Sequence, residues 1–277
     1  HRLKLELLKQ RYLHIDETHV QVLKEPGRKN TSDSYMWVYC SIRDAVNSIR
    51  YFEYQPGRSG KYPEAFLREY EGYIHTDAYS GYNAVSGVKR CLCYTHLRRA
   101  FVDALPKDIH NSEASKPAEA ILRLNQLFNI ESELEALPPD QKKKERLIRE
   151  KPLLEAFWSW AEKSAIGELP KSKLSKAFHY ALNNREGFWN YLEDGNCSIS
   201  NSLAENCIRP FVIGRTKGAE ASAGIYTLVE TAKANGLAPM KYIKYILSDM
   251  PGSAFLEHPE YLDDYLPWNP LVKEFCR

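Results

Sequence analysis

No stretch of this chain stays apolar for the ~20 residues that a membrane-spanning helix needs, so the sequence reads as a soluble protein. A cysteine framework is missing too. Cys40, Cys91, Cys93, Cys197, Cys207 and Cys276 fall at irregular spacings, several of them inside apolar runs where free thiols are at home. That argues against a disulfide-stapled secreted fold and for a reducing cytoplasm. Charge of one sign is also lacking: Lys+Arg 38 against Asp+Glu 36 leaves +2, too balanced to imply a nucleic-acid partner by itself. No internal repeat is present. The opening His1-Arg2-Leu3-Lys4 has neither Met nor a signal-like apolar core, and reads as a piece of something longer rather than a secreted precursor.

What is present is enough for a large core. With 277 residues, 43% of them hydrophobic, the chain suits one big domain or a domain with a sizeable insertion. Aromatic and β-branched runs predict a short strand at Tyr12–Asp16, continuing over Val20–Lys24 after a kink, and antiparallel strands at Tyr35–Ile42 and Ser48–Tyr54. The segment Glu25–Asn30 reads as a turn and Pro63–Tyr70 as a helix. Two more strands follow at Tyr73–Thr76 and Val88–Cys93, then a helix at His96–Ala104. From Pro106 to Asp194 strand signals vanish. Amphipathic spacing over Ala118–Leu137, Gln141–Lys163 and Lys173–Asn184 predicts an all-helical insertion. Helices are expected again at Ala221–Asn235 and Lys241–Asp249, with an irregular tail. Three antiparallel strands, then strands alternating with helices, is the layout of a ribonuclease H-like α/β mixed sheet. The expected organisation is 1–105 as the first part of that core, 106–195 as the insertion, 196–235 as the second part, and 236–277 as a C-terminal helix and tail.

Three carboxylates stand out. Asp16 and Asp77 close strand-like runs, and Glu205 lies on a helical turn one turn before Arg209. Two strand-borne aspartates and a later helix-borne glutamate is an order that can hold two Mg²⁺ (or Mn²⁺) ions, ~3.5–4 Å apart, for phosphoryl transfer. Each has a purely structural alternative. Glu17 rivals Asp16 as the ligand, Asp77 suits an Asx-turn, and Glu205 completes a Ser202-x-x-Glu205 capping box. The spacing Cys91-x-Cys93-x-x-His96 suggests zinc but finds no fourth ligand. His14 and His75, each two residues before an aspartate, are either supporting groups or packed side chains. Trp158, Trp160 and Trp189 read as core, with stacking on an unpaired base as the alternative. Lys89, Arg90, Arg98, Arg99, Arg209, Arg215 and Lys217 form basic clusters suited to phosphate oxygens.

Several blocks together resemble the transposases of the insertion-sequence-66 family. They are Asp16-Glu17-Thr18-His19-Val20-Gln21-Val22-Leu23; Thr76-Asp77-Ala78-Tyr79-Ser80-Gly81-Tyr82; Cys93, His96, Arg98, Arg99 and Phe101; Asn201, Ala204, Glu205, Ile208, Arg209 and Pro210; and Glu230 to Leu237. The resemblance implies a DDE-group enzyme on a ribonuclease H-like domain. Its catalytic and metal-binding triad would be Asp16, Asp77 and Glu205, supported by His96 and Asn201. It implies two divalent cations, DNA (element ends and target) as partner, a homo-oligomer in the active complex, possible helper proteins, no membrane, and a bacterial, nucleoid-associated location. A hydrolysing nuclease or resolvase, and an inactive transposase-derived DNA-binding protein, are the alternatives. One departure is that Arg215 is followed directly by Thr216-Lys217-Gly218-Ala219, where the family carries an Asn-Trp-Leu-Phe-like stretch.

Overall fold

The computed structural model describes residues 1–22, 27–29, 32–43, 45–106, 115–213 and 219–277, without the side chains of Val212 and Ile213. The chain begins with helix α1 (Arg2–Leu8), strands β1 (Tyr12–Val20), β2 (Ser34–Ser41) and β3 (Arg50–Gln55), and helix α2 (Lys61–Phe66). Strands β4 (Tyr73–Thr76) and β5 (Lys89–Leu92) follow. Helices α3 (Tyr94–Val102), α4 (Lys116–Glu133), α5 (Pro139–Arg149), α6 (Lys151–Ala165), α7 (Lys173–Asn183) and α8 (Arg185–Trp189) come next. The last elements are α9 (Ser202–Ile213), α10 (Ala219–Ala234), α11 (Pro239–Asp249) and α12 (Pro270–Cys276). Five strands, paired in both senses, and many helices make this a mixed α/β chain. No helix among the described residues is long and apolar enough to cross a membrane. The turn expected at Glu25–Asn30 lies largely outside the described residues.

The chain divides into two compact units. The first comprises His1–Gly72, Ser80–Val88 and Ser202–Arg277. Here β1, β2 and β3 form an antiparallel ladder, with Asp16 opposite Val38, Glu17 opposite Trp37 and Val38 opposite Phe52. Residues directly opposite share a sheet face and neighbours along a strand alternate, so Asp16 and Val38 lie on one face and Glu17 and Trp37 on the other. On the first face, Val20, Met36, Val38, Cys40 and Phe52 pack against Ala204, Ile208 and Phe211 of α9 and Ala219 and Ala223 of α10. The β1 strand runs unbroken to Val20, where a kink after Asp16 was expected. Its buried Glu17 disguises the alternation, because a charged residue is read as outward-facing.

Strand β3 has its outer rim closed by α10. Thr227 and Thr231, one helical turn apart and both buried, accept hydrogen bonds from the backbone N–H of Phe52 (2.9 Å) and Arg50 (3.1 Å). Asn235 donates to the Ser48 carbonyl at 2.7 Å. Gly236 follows at φ +72°, the left-handed conformation that ends helices and that glycine adopts without strain.

The second unit comprises Tyr73–Tyr79 and Lys89–Asn201. Strands β4 and β5 pair in parallel, His75 opposite Cys91. Helices α3 to α8 enclose an aromatic core in which Phe101 meets Phe178 (5.4 Å between centroids), and Phe188 meets Tyr94 (5.0 Å) and Trp158 (6.0 Å). Trp158 is core, whereas Trp160 packs against Phe157 and Phe178 and beneath the Arg123 guanidinium. The single helix expected over Gln141–Lys163 is two, α5 and α6. Pro152 lacks an N–H and its ring clashes with the preceding turn, so a new helix starts beside it. At that junction Glu150 is fully buried, its Oε2 accepting from the Tyr191 hydroxyl at 2.6 Å. Nearby, buried Arg146 grips Glu131 through two bonds (2.5 and 2.8 Å) and donates to the carbonyls of Tyr191, Asp194 and Cys197.

Candidate functional site

In the first unit the ladder separates two adjacent acids that the sequence left as rivals. Glu17 is 9% exposed, and its carboxylate receives the Arg58 guanidinium at 2.6–2.7 Å and the Tyr82 hydroxyl. It is committed to an internal ion pair. Asp16, half-exposed, lies on the opposite face, the one over which α9 packs through Ala204 and Ile208. Glu205 stands in the first turn of that helix, half-exposed and next to buried Ala204. Beneath α9, Cys40 of β2 and Cys207 share a hydrogen bond. Burial pushes the Cys40 thiol well up, with nearby Asp16 adding to the effect, while the contact with Cys40 holds Cys207 below its ordinary value.

Asp77 follows β4 in the second unit. One carboxylate oxygen accepts the Tyr79 N–H at 2.9 Å, which is the Asx-turn offered as its structural alternative. A carboxylate oxygen can accept more than one partner, so this bond does not by itself preclude a ligand role. Arg90 fixes the loop from β5. Its Nε donates to Thr76 Oγ1 at 2.8 Å, and its Nη2 to the carbonyls of Asp77 (2.6 Å) and Tyr79 (2.8 Å). Tyr180 of α7 also lies near Asp77. Burial and then the Asp77 charge raise its phenol, and its hydroxyl finds no hydrogen-bond partner among the described residues.

The Cys91-x-Cys93-x-x-His96 spacing, for which the sequence offered no fourth zinc ligand, does not gather as one cluster among the described residues. Cys91 gathers with His75 and Cys197, all buried, their ligand atoms within 4.8 Å of one another. His75 Nε2 already accepts the Ser198 N–H at 2.8 Å, so the lone pair a metal needs is spent inside the protein. We read the cluster as a hydrogen-bonded polar core. Cys93 Sγ accepts the N–H of Asn201, which is 1% exposed, tying the segment that precedes α9 to the start of α3. His96 lies half-buried in the first turn of α3.

Comparison with known proteins decides the ancestry. The family described as "Transposase IS66 family" matches residues 1–222, and the "IS66 C-terminal element" matches residues 227–268. The chain belongs to the IS66 transposase family. Among curated relatives it is similar to "Uncharacterized protein y4hP" of Sinorhizobium fredii, 26% identical over 285 residues, covering 92% of this chain and 50% of that protein. It is also similar to "Uncharacterized protein y4qI" of the same organism, 26% identical over 277 residues, with coverage of 92% and 50%. The chain thus spans about half the length of the curated relatives it matches. No solved structure matches it.

In this IS66 chain several cations expected to meet phosphate are bonded within the protein. Lys89 pairs with Glu193, Arg90 holds the Asp77 loop, and Arg98 donates to Asn125 at 2.7 Å. Arg99 and Arg209 are exposed. Arg215 and Lys217, with the departure at Arg215–Thr216, lie outside the described residues. Sequence reasoning missed Arg58 and Tyr82, which neutralise Glu17, and Tyr180 beside Asp77. Only Tyr82 carried a signal, as the last residue of the Thr76–Tyr82 block.

Proposed function

We propose that the chain is the catalytic region of a DDE-type DNA transposase, built on a ribonuclease H-like core interrupted by the helical segment 106–195. The observation that carries this reading is the face assignment in the first unit. Asp16 lies on the side of the ladder covered by the helix that bears Glu205, while the competing Glu17 is consumed by Arg58 and Tyr82. All three carboxylates offer hard oxygen donors, the chemistry that Mg²⁺ and Mn²⁺ select. Asp16, Asp77 and Glu205 would hold two such ions, which when bound supply charge compensation to the attacking and leaving oxygens of an in-line displacement.

In the reaction water attacks the phosphate at an element end, releasing a 3′-hydroxyl, which then attacks target DNA and exchanges one phosphodiester for another. The protein's part is positional. Arg90 and the Asx-turn hold Asp77, and Cys93 with Asn201 fixes the approach to α9. DNA, a homo-oligomer and a bacterial cytoplasmic setting belong to this proposal.

The test uses the full-length protein with pre-cut element ends, Mg²⁺ or Mn²⁺, and target plasmid. Asp16→Asn, Asp77→Asn and Glu205→Gln are each expected to abolish nicking and joining, a loss of at least ~10³-fold, while Glu17→Gln retains both. An Asp77→Asn protein that still nicks and joins refutes the assignment. Cleavage without joining by the wild type selects the resolvase reading instead.

A further inference from the structure

The segment Pro170–Asn184, at and around α7, contains Lys171, Lys173, Lys176 and His179 and no acid. Lys171, Ser175, Lys176, His179, Tyr180 and Asn183 line an open groove along this helix. All three lysines are exposed, and none joins an ion pair among the described residues. Elsewhere in the unit Lys89, Lys116, Lys142, Arg123, Arg146, Arg149 and Arg185 are each matched to a carboxylate. The cations here gather on a concave lining that holds no acid.

The groove has two further properties. Lys171 holds φ +66°, a left-handed conformation that strains a side-chain-bearing residue and that glycine or asparagine fills more easily. His179 Nδ1 meets the Ser175 carbonyl at 2.6 Å, and since a carbonyl only accepts, that nitrogen carries the proton. Tyr180, whose phenol feels the Asp77 charge, is among the groove's lining residues.

We propose that this groove is a track for the sugar-phosphate backbone of duplex DNA, with Lys171 and Lys176 of its lining and exposed Lys173 of the same acid-free segment meeting phosphates and Asn183 adding a neutral donor. The proposal rests on the transposase reading for its partner and deepens it by naming the contact surface within the helical segment. A polyanion matches an acid-free concave surface, and backbone contacts of this kind bind without reading sequence.

The experiment measures binding of a fluorescein-labelled duplex by anisotropy across a salt series, in EDTA so that no strand is cut. Lys171→Ala/Lys173→Ala/Lys176→Ala should weaken binding by ~10-fold or more and lower the slope of log affinity against log salt by about 2–3. The Arg triple variant at the same positions should restore both. Lys143→Ala/Lys144→Ala, which removes exposed lysines elsewhere on the unit, should change little. Wild-type affinity and slope in the alanine triple, with an unchanged melting curve, overturn the proposal. So does an equal loss in the Lys143/Lys144 control. A protein that binds through the groove yet never cleaves leaves this inference standing and sinks the catalytic one.

Discussion

Glu150→Gln isolates the most strongly perturbed carboxyl of the helical segment. Burial, followed by the nearby Glu131 carboxylate, pushes Glu150 up to about 8. Its Oε1 finds no hydrogen-bond partner among the described residues. Between the ordinary value of 4.5 and about 8 the folded protein binds a proton that the unfolded chain has released. Unfolding therefore gives up that proton, and stability falls as pH rises, by ~1.4 kcal/mol per pH unit for one proton. The contribution is complete below 4.5 and lost by the time pH passes about 8. Realised in full, this single group removes on the order of 3–5 kcal/mol across the window. Glutamine keeps the shape and the acceptor for Tyr191 but never ionises. The variant is expected to match the wild type to within ~1 kcal/mol near pH 5 and to exceed it by a few kcal/mol near pH 8.5. Urea unfolding followed by far-UV circular dichroism at several pH values measures this directly. Parallel stability curves for the two proteins would refute the reasoning, because Glu150 would then titrate alike in both states.

Two further outcomes are expected. Arg90→Lys replaces a fork that bonds Thr76, Asp77 and Tyr79 with a single ammonium, and should cut strand cleavage by ~10–100-fold while leaving duplex affinity in EDTA unchanged; a parallel fall in affinity would make Arg90 a phosphate contact instead. Thr227→Val/Thr231→Val leaves two buried N–H groups of β3 without acceptors and should cost ~2–5 kcal/mol in the same unfolding assay, a result below ~1 kcal/mol counting against the rim contacts.

The strands were largely legible because they are aromatic and β-branched runs. Expected Tyr35–Ile42 and Ser48–Tyr54 correspond to β2 and β3 within two residues. The failures came where one side chain overrode the pattern: Glu17, made tolerable inside by Arg58 and Tyr82, and Pro152, which divides a helix that amphipathic spacing alone runs together. The helix expected over Pro63–Tyr70 likewise stops at Phe66, and Glu69 beyond it takes φ +64°. The candidate acids were legible by type, but residue type could not separate Asp16 from Glu17, since the two differ only in which face of β1 they occupy. For the cations, composition shows charge but not partners. Arg90, a phosphate candidate in sequence, bonds carbonyls that no local pattern announces.

The threonines that α10 lends to β3 bear on how copies of this protein can meet. A bare outer strand is an open invitation to any passing extended peptide, and here those donor groups are already answered from within the same chain. Any second copy that met this border would touch it through side chains rather than by lengthening a shared ribbon. Peeling the helix away would bare backbone donors on which another extended chain could pair.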